Sequence, residues 1–250
     1  MLLTVDVGNT HIRLGVFPTD GGPLERTWSM RTSPAVTSDE LALTIRGLLG
    51  GCAERLSGIS AMSVVPSVTG ELRRMAADYW PDLPAVVVAP GVKTGVPLLV
   101  DNPREVGSDR VVNALAAHPL FDGAVVVVDV DTATTVDAVS ARGELLGGAI
   151  APGIDISVDA LAERAAALRR IEVVRPRSAL GKNTVAALQA GIVIGFAGQI
   201  AAGLAISAAV LALSWHAFRS WGLLIDPAAP VLAATAAQFA ALGFRLLVTD

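Results

Sequence analysis

This 250-residue chain is poor in the residues that usually advertise a site. It has one cysteine, Cys52, so no internal disulfide framework exists and a reducing compartment fits best. Its three histidines, His11, His118 and His216, have no zinc-ligand spacing. Only 17% of residues are charged, against about 25% in an ordinary soluble protein. The net charge of −4 and pI near 5.4 argue against nucleic acid as a partner. The N-terminus carries no basic segment or small-residue cleavage site, so no secretory leader is expected and the cytoplasm is the expected location.

Apolar sequence is abundant instead, at 52% of residues with a mean hydropathy of +0.57. From Asn183 to Phe218, 36 consecutive residues carry no charge, and 18 more follow from Pro227 to Phe244. Such lengths meet the criterion for membrane spans. Segments 192–218 and 230–248 would then form a membrane hairpin. Alanine and glycine outnumber leucine and phenylalanine here, which favours buried helices of a second domain or of a dimer interface.

Upstream, strand-like and helix-like segments alternate, which predicts an α/β layer architecture. Leu41–Leu49 has helical spacing after Asp39-Glu40, and Ile59–Val65 and Ala85–Ala89 read as buried strands. Ser67 or Thr69 is the expected cap of the helix after Pro66. Glycine and proline then cluster from Pro90 to Pro103, as in a long functional loop. Leu145–Gly153 reads as a strand entering a glycine-rich turn, Val158–Arg170 as an amphipathic helix, and Arg169–Arg177 as a solvated basic loop.

The most informative segment is the first one. An apolar run delivers Asp6, then Gly8-Asn9-Thr10, then a second apolar run, which predicts a β-hairpin with a polar tip. A carboxylate there can hold hydrated Mg²⁺, and Gly8 lets backbone amides approach phosphate oxygens. An ordinary surface turn is the alternative reading. The pattern returns at Ala124–Val139, where Asp129 matches Asp6 and Asp131 matches Gly8. Two such hairpins suggest an internally duplicated kinase-like fold with a nucleotide cleft between its halves.

The densest polar constellation is Asp101–Asn113. Gly107-Ser108 reads as a loop feeding a helix N-terminus, where an anion is favoured. Asp109 has the chemistry to accept a hydroxyl proton and Arg110 to grip a carboxylate bidentately, although on the residues alone an Asp/Arg pair capping a helix is the slightly simpler reading. Gly181-Lys182-Asn183-Thr184 has the look of a phosphate loop, but Pro176 stands where its first glycine is required.

Taken in order, Asp6-Val7-Gly8-Asn9-Thr10, Asp101–Arg110, Thr132-Ala133-Thr134-Thr135, Gly147–Gly153 and Gly181–Thr184 resemble the motifs of the type III pantothenate kinases. The resemblance covers about residues 1–200. It implies membership of the acetate and sugar kinase, heat-shock protein and actin superfamily, with two duplicated actin-like, ribonuclease H-like domains at 1–118 and 119–250. The second would carry an atypical apolar helical C-terminus from about residue 200. It also implies ATP-dependent phosphorylation of pantothenate, the first step towards coenzyme A. Further implications are Mg²⁺, a monovalent cation (K⁺ or NH₄⁺) and a homodimer with the vitamin site near its interface.

By the same resemblance, Asp6 positions Mg²⁺, and Gly8, Asn9, Thr10 and Thr132 meet the ATP phosphates. Asp109 is the general base, Gly107 and Arg110 hold pantothenate, Asp129 coordinates the monovalent cation, and Thr184 reaches the substrate across the dimer. Two features depart from the family pattern. Asp131 stands where the second hairpin has glycine, and nothing matches the Thr-Gly-Gly segment that closes over adenine. The alternatives are a catalytically impaired kinase-like binding or regulatory protein, or a membrane-attached variant.

Overall fold

A computed structural model describes residues 1–121, 123–165 and 168–220. The chain divides into two compact units, Met1–Gly95 with Asp101–Asn113, and Val96–Val100 with Ala114–Asp250. Both are mixed α/β.

The first unit is built on a five-stranded sheet of order β3-β2-β1-β4-β5. Its strands are β1 (Leu2–Val7), β2 (His11–Phe17), β3 (Arg26–Arg31), β4 (Gly58–Ser63) and β5 (Ala85–Val88). β1–β2–β3 is an antiparallel meander, while β4 and β5 join in parallel through helical crossovers. Alternation sorts β1 into two faces, so Leu3, Val5 and Val7 are buried while Thr4 and Asp6 point the other way. Against the apolar face pack helices α1 (Ser38–Leu49) and α2 (Pro66–Tyr79), through Leu41, Ile45 and Leu49, and Val68, Leu72 and Met75.

Local chemistry sets the ends of these helices. A capping box starts α1, with Thr37 and Glu40 each bonding the other's backbone N–H. In α2 the expected side-chain cap is not used. Pro66 occupies the first turn, where its missing N–H costs nothing, and Val65 precedes it without a side-chain bond. Thr69 Oγ1 instead donates to Val65 O at 3.3 Å, and Ser67 Oγ to Pro34 O at 2.7 Å. Helix α3 (Ser108–Leu120) begins in the first unit.

The second unit holds a three-stranded antiparallel meander, β6 (Val125–Val130), β7 (Ala133–Val139) and β8 (Leu145–Pro152). Leu98, from the 96–100 segment, bridges in parallel to Leu145. Helix α4 (Ile154–Arg164) ends earlier than the sequence pattern suggested, because Ala165 is already extended. Helix α5 (Thr184–Ser220) realises the long uncharged run as one helix. The expectation was burial in the second domain or in a dimer interface, and within a single chain the helix is only partly covered. Within this chain it buries Ala190, Ile192 and Leu204, while Val185, Ile194 and Ile206 are exposed. Over Thr184–Ala209 it is the one helix among the described residues long and apolar enough to cross a membrane. The second run, 230–248, lies outside the described residues.

Candidate functional site

In the first unit, the predicted phosphate loop is the three-residue tip joining β1 to β2. Gly8 N donates to His11 O at 3.0 Å, which closes the turn. Thr32, just after β3, clamps it from outside. Its hydroxyl donates to Gly8 O at 2.7 Å, and its N–H donates to Thr10 O at 3.0 Å. Thr32 was invisible in the sequence, since it lies 24 residues from Gly8 and belongs to no motif. Asn9 and Thr10 stand exposed at the tip, whereas Asp6 Oδ1, one residue inside β1, is sealed from solvent.

The second predicted cluster lies in the same unit. Gly107, Asp109 and Arg110 straddle the start of α3, all half-buried. Between them Ser108 is buried, and its hydroxyl donates to Ser63 O at 2.8 Å at the end of β4. Ser63 is itself fixed, because its Oγ donates to Val65 O at 2.9 Å and accepts from Val65 N at 3.0 Å. Ser63 also stands in register with Val7, and Val64 N donates to Val7 O at 2.9 Å. Hydrogen bonds therefore lead from the start of α3, through the end of β4, to the residue before Gly8. The loop holding Asp6–Thr10 and the helix start holding Asp109 share one frame.

Asp109 folds back over Gly107. A Cβ added to Gly107 would overlap Asp109 Oδ1 and lie 3.4 Å from its Cγ. A glycine here lets the Asp109 carboxylate approach the backbone this closely, and any side chain would have to displace it. Asn102 Oδ1 accepts from Arg104 N at 3.3 Å and organises the turn leading in.

The second unit carries Asp129, Thr132 and Thr184. Asp129 lies one residue inside the end of β6, as Asp6 does in β1, opposite Thr135. The tip here has two residues, Asp131-Thr132, where the first hairpin has three. Asp131 is exposed, and its N–H donates to Ala133 O at 3.0 Å. Gly153 packs on this turn, with its N–H donating to Thr132 O at 2.9 Å. A Cβ on Gly153 would overlap Asp131 O and lie 2.5 Å from Thr132 O, so only glycine fits. The turn after β8 thus shapes the tip after β6, which the glycine-rich motif hinted at only by composition.

Beside Gly153, Pro152 lines a cavity of about 880 Å³ whose wall includes Ser157, Lys182, Asn183, Thr184 and Phe196. Thr184 thus opens onto this concavity, as first residue of α5. The residue that sequence reading passed over is Asn183. Its Oδ1 accepts from Ala186 N at 2.8 Å and its backbone carbonyl from Ala187 N at 2.9 Å, so it caps α5. The Gly-Lys-Asn segment therefore leads into the N-terminus of α5, whose first residue is Thr184. Of the basic loop beyond α4, Arg170 pairs with Asp159 at 3.0 Å on the surface.

As candidate metal ligands, Asp6 and Asp129 offer single hard carboxylates. No group of three or more His, Cys, Asp or Glu side chains among the described residues could hold a metal alone. That donor set suits an ion shared with phosphate oxygens and water rather than caged by protein.

Comparison with known proteins matches the profile of the type III pantothenate kinase family to residues 2–205. A protein of that name from Saccharopolyspora erythraea is 63% identical over 205 residues, covering 80% of this chain and 77% of its own length. One from Rhodococcus erythropolis is 59% identical over 202 residues, covering 80% of this chain and 74% of its own. One from Mycolicibacterium smegmatis is 56% identical over the same length and shares. The family match stops at residue 205, inside α5.

Proposed function

The chain belongs to the type III pantothenate kinase family, and from that premise we propose how its residues carry the family's reaction. The protein is a kinase that transfers a phosphoryl group from ATP to pantothenate, opening coenzyme A biosynthesis. In the transfer, the primary hydroxyl oxygen of pantothenate forms a bond to the γ-phosphorus. The bond from that phosphorus to the bridging oxygen breaks, and ADP leaves with the electron pair.

Asp109 takes the hydroxyl proton, a role worth roughly 10²–10⁴ in rate. Arg110 grips the pantothenate carboxylate, and Gly107 belongs to the substrate-holding loop, its missing side chain leaving the place that the Asp109 carboxylate takes. Gly8, Asn9 and Thr10 offer backbone and side-chain donors to phosphate, and Thr132 has the same donor chemistry. The observation that carries this reading is the shared frame, in which the start of α3 is hydrogen-bonded to the strand end next to the phosphate loop. Phosphoryl transfer depends on positioning and charge neutralisation more than on covalent help, and a fixed frame supplies positioning.

The carboxylates of Asp6 and Asp129 fit Mg²⁺ and a monovalent cation respectively, by the hardness of their oxygens. Bound there, these cations would neutralise phosphate charge. Asp131 adds one negative charge at the second tip, and its exposure lets water and salt screen it. Two duplicated domains, divided near residue 118, are supported by the repeated antiparallel meander and the matched places of Asp6 and Asp129. A homodimer is supported by the exposed apolar side chains Val185, Ile194 and Ile206 on α5, with Thr184 serving the partner's substrate. A cytoplasmic location accords with a soluble metabolic enzyme.

The test is ADP release with ATP, Mg²⁺, K⁺ and pantothenate, comparing the wild type with Asp109→Asn. Pantothenate-dependent turnover that falls at least about 100-fold in the variant is expected. A folded wild type without turnover overturns the assignment, and an unimpaired variant overturns the role of Asp109.

A further inference from the structure

We propose that Ser108 is a positioning residue, whose hydroxyl sets where the Asp109 carboxylate stands relative to the Gly8–Thr10 loop. The inference rests on the catalytic reading of Asp109 given above.

Val111 N donates to Gly107 O at 3.3 Å, so Gly107 holds the capping position and the first helical residue is Ser108. This serine is buried, and its hydroxyl spends its proton on Ser63 O, 45 residues away in sequence, at 2.8 Å. Val106 on one side and Val111 on the other are also buried, so apolar packing holds this segment against the unit. Packing of that kind is non-directional and tolerates small slides. The hydrogen bond has a direction and a length, and it lies immediately beside the base in the chain.

Its acceptor is well chosen for the purpose. Ser63 ends β4 and is fixed by its own bonds to Val65. It also stands in register with Val7, one residue before the phosphate loop. The loop in turn is held by Thr32. A chain of directional contacts therefore ends at Ser108, and Asp109 is the next residue. Removing the Ser108 hydroxyl would leave Ser63 O without that bond in a buried setting and free the start of α3 to slide. A small displacement of a reacting group costs rate steeply while leaving distant binding contacts intact.

The experiment measures steady-state ADP release by the full-length protein as ATP and pantothenate are each varied up to saturation. Ser108→Ala and Ser108→Thr are compared with the wild type, with Asp109→Asn alongside. The expected result is a kcat for Ser108→Ala reduced about tenfold, with KM for ATP within twofold of wild type and a cooperative thermal transition retained. Ser108→Thr, which keeps a hydroxyl, should recover most of kcat. Should the alanine variant fail to fold, Ser108→Cys takes its place, because a thiol fills similar space and donates weakly.

A kcat within twofold of wild type in the hydroxyl-less variant overturns the proposal. So does an equal rise in KM for both substrates, or a threonine variant no better than alanine, since general loosening would produce either. If Asp109→Asn itself retains full activity, the reading of Asp109 has failed. If it collapses while Ser108→Ala does not, only the positioning role has.

Discussion

Replacing Gly107 with alanine tests the geometry of the candidate base with a single methyl group. The added Cβ would overlap Asp109 Oδ1 and sit 3.4 Å from Cγ and 3.8 Å from Oδ2. To regain ordinary contact distance the carboxylate must retreat by about 1 Å. The obstructing atoms end a side chain that can rotate, so the backbone need not move. Gly107 also has no left-handed φ, so alanine adopts its conformation without strain. Reducing the freedom of the unfolded chain would, if anything, stabilise the fold by about 0.4–1 kcal/mol.

Stability and activity should therefore separate. A displacement of about 1 Å at a reacting group costs on the order of 100-fold in rate, or about 2.7 kcal/mol of barrier. We expect Gly107→Ala to show an unchanged or slightly raised melting temperature, with kcat down about 100-fold. Thermal unfolding followed by circular dichroism and the ADP-release assay measure the two quantities on one preparation. A kcat within threefold of wild type would refute the placement of the base over Gly107. Loss of the folded state would refute the argument that only a side chain has to yield.

Gly153→Ala should behave in the opposite way. Here the atoms in the way are backbone carbonyls of Asp131 and Thr132, which cannot rotate aside. A loss of about 1–3 kcal/mol in stability is expected, read as a lower denaturant midpoint, and a midpoint equal to wild type would contradict it. Tyr79 offers a pH-dependent check, being the only tyrosine in the chain. Its hydroxyl donates to Asp39 Oδ1 at 2.8 Å, and this bond is the first cause raising its pKa above 10.0, ahead of burial and the charges of Asp39 and Asp78. The native state thus favours the neutral phenol. Its contribution is fully present below pH 10 and is lost as pH rises through the elevated native value. Phenolate absorbance should rise later than for free tyrosine, and Asp39→Ala should move it back towards 10.0; a wild-type titration at or below that value would sink the interpretation.

Much of the site was legible because it is local. A carboxylate one residue before a strand end, followed by small polar residues, writes a hairpin tip into consecutive positions, and the structure has hairpins after both Asp6 and Asp129. Gly107-Ser108-Asp109-Arg110 was legible for the same reason, since a helix start is specified by a few neighbours. Helix α5 was legible as a long uncharged helix, but not in its exposure, because an unbroken apolar run carries no periodicity to mark an inner face. The cap of α2 was misread because proline at its first turn made a side-chain cap unnecessary.

By itself, then, the sequence determined the element types, the two hairpin tips and the family, since periodicity, turn chemistry and ordered motifs are properties of neighbours along the chain. Only the tertiary structure decided that Thr32 clamps Gly8, that Ser108 bonds Ser63 rather than its own helix, and that Gly153 touches the turn at Asp131. Such contacts join residues some 20 to 45 positions apart. They arise from sheet register and helix docking, and no residue type in a linear pattern announces its partner across a fold.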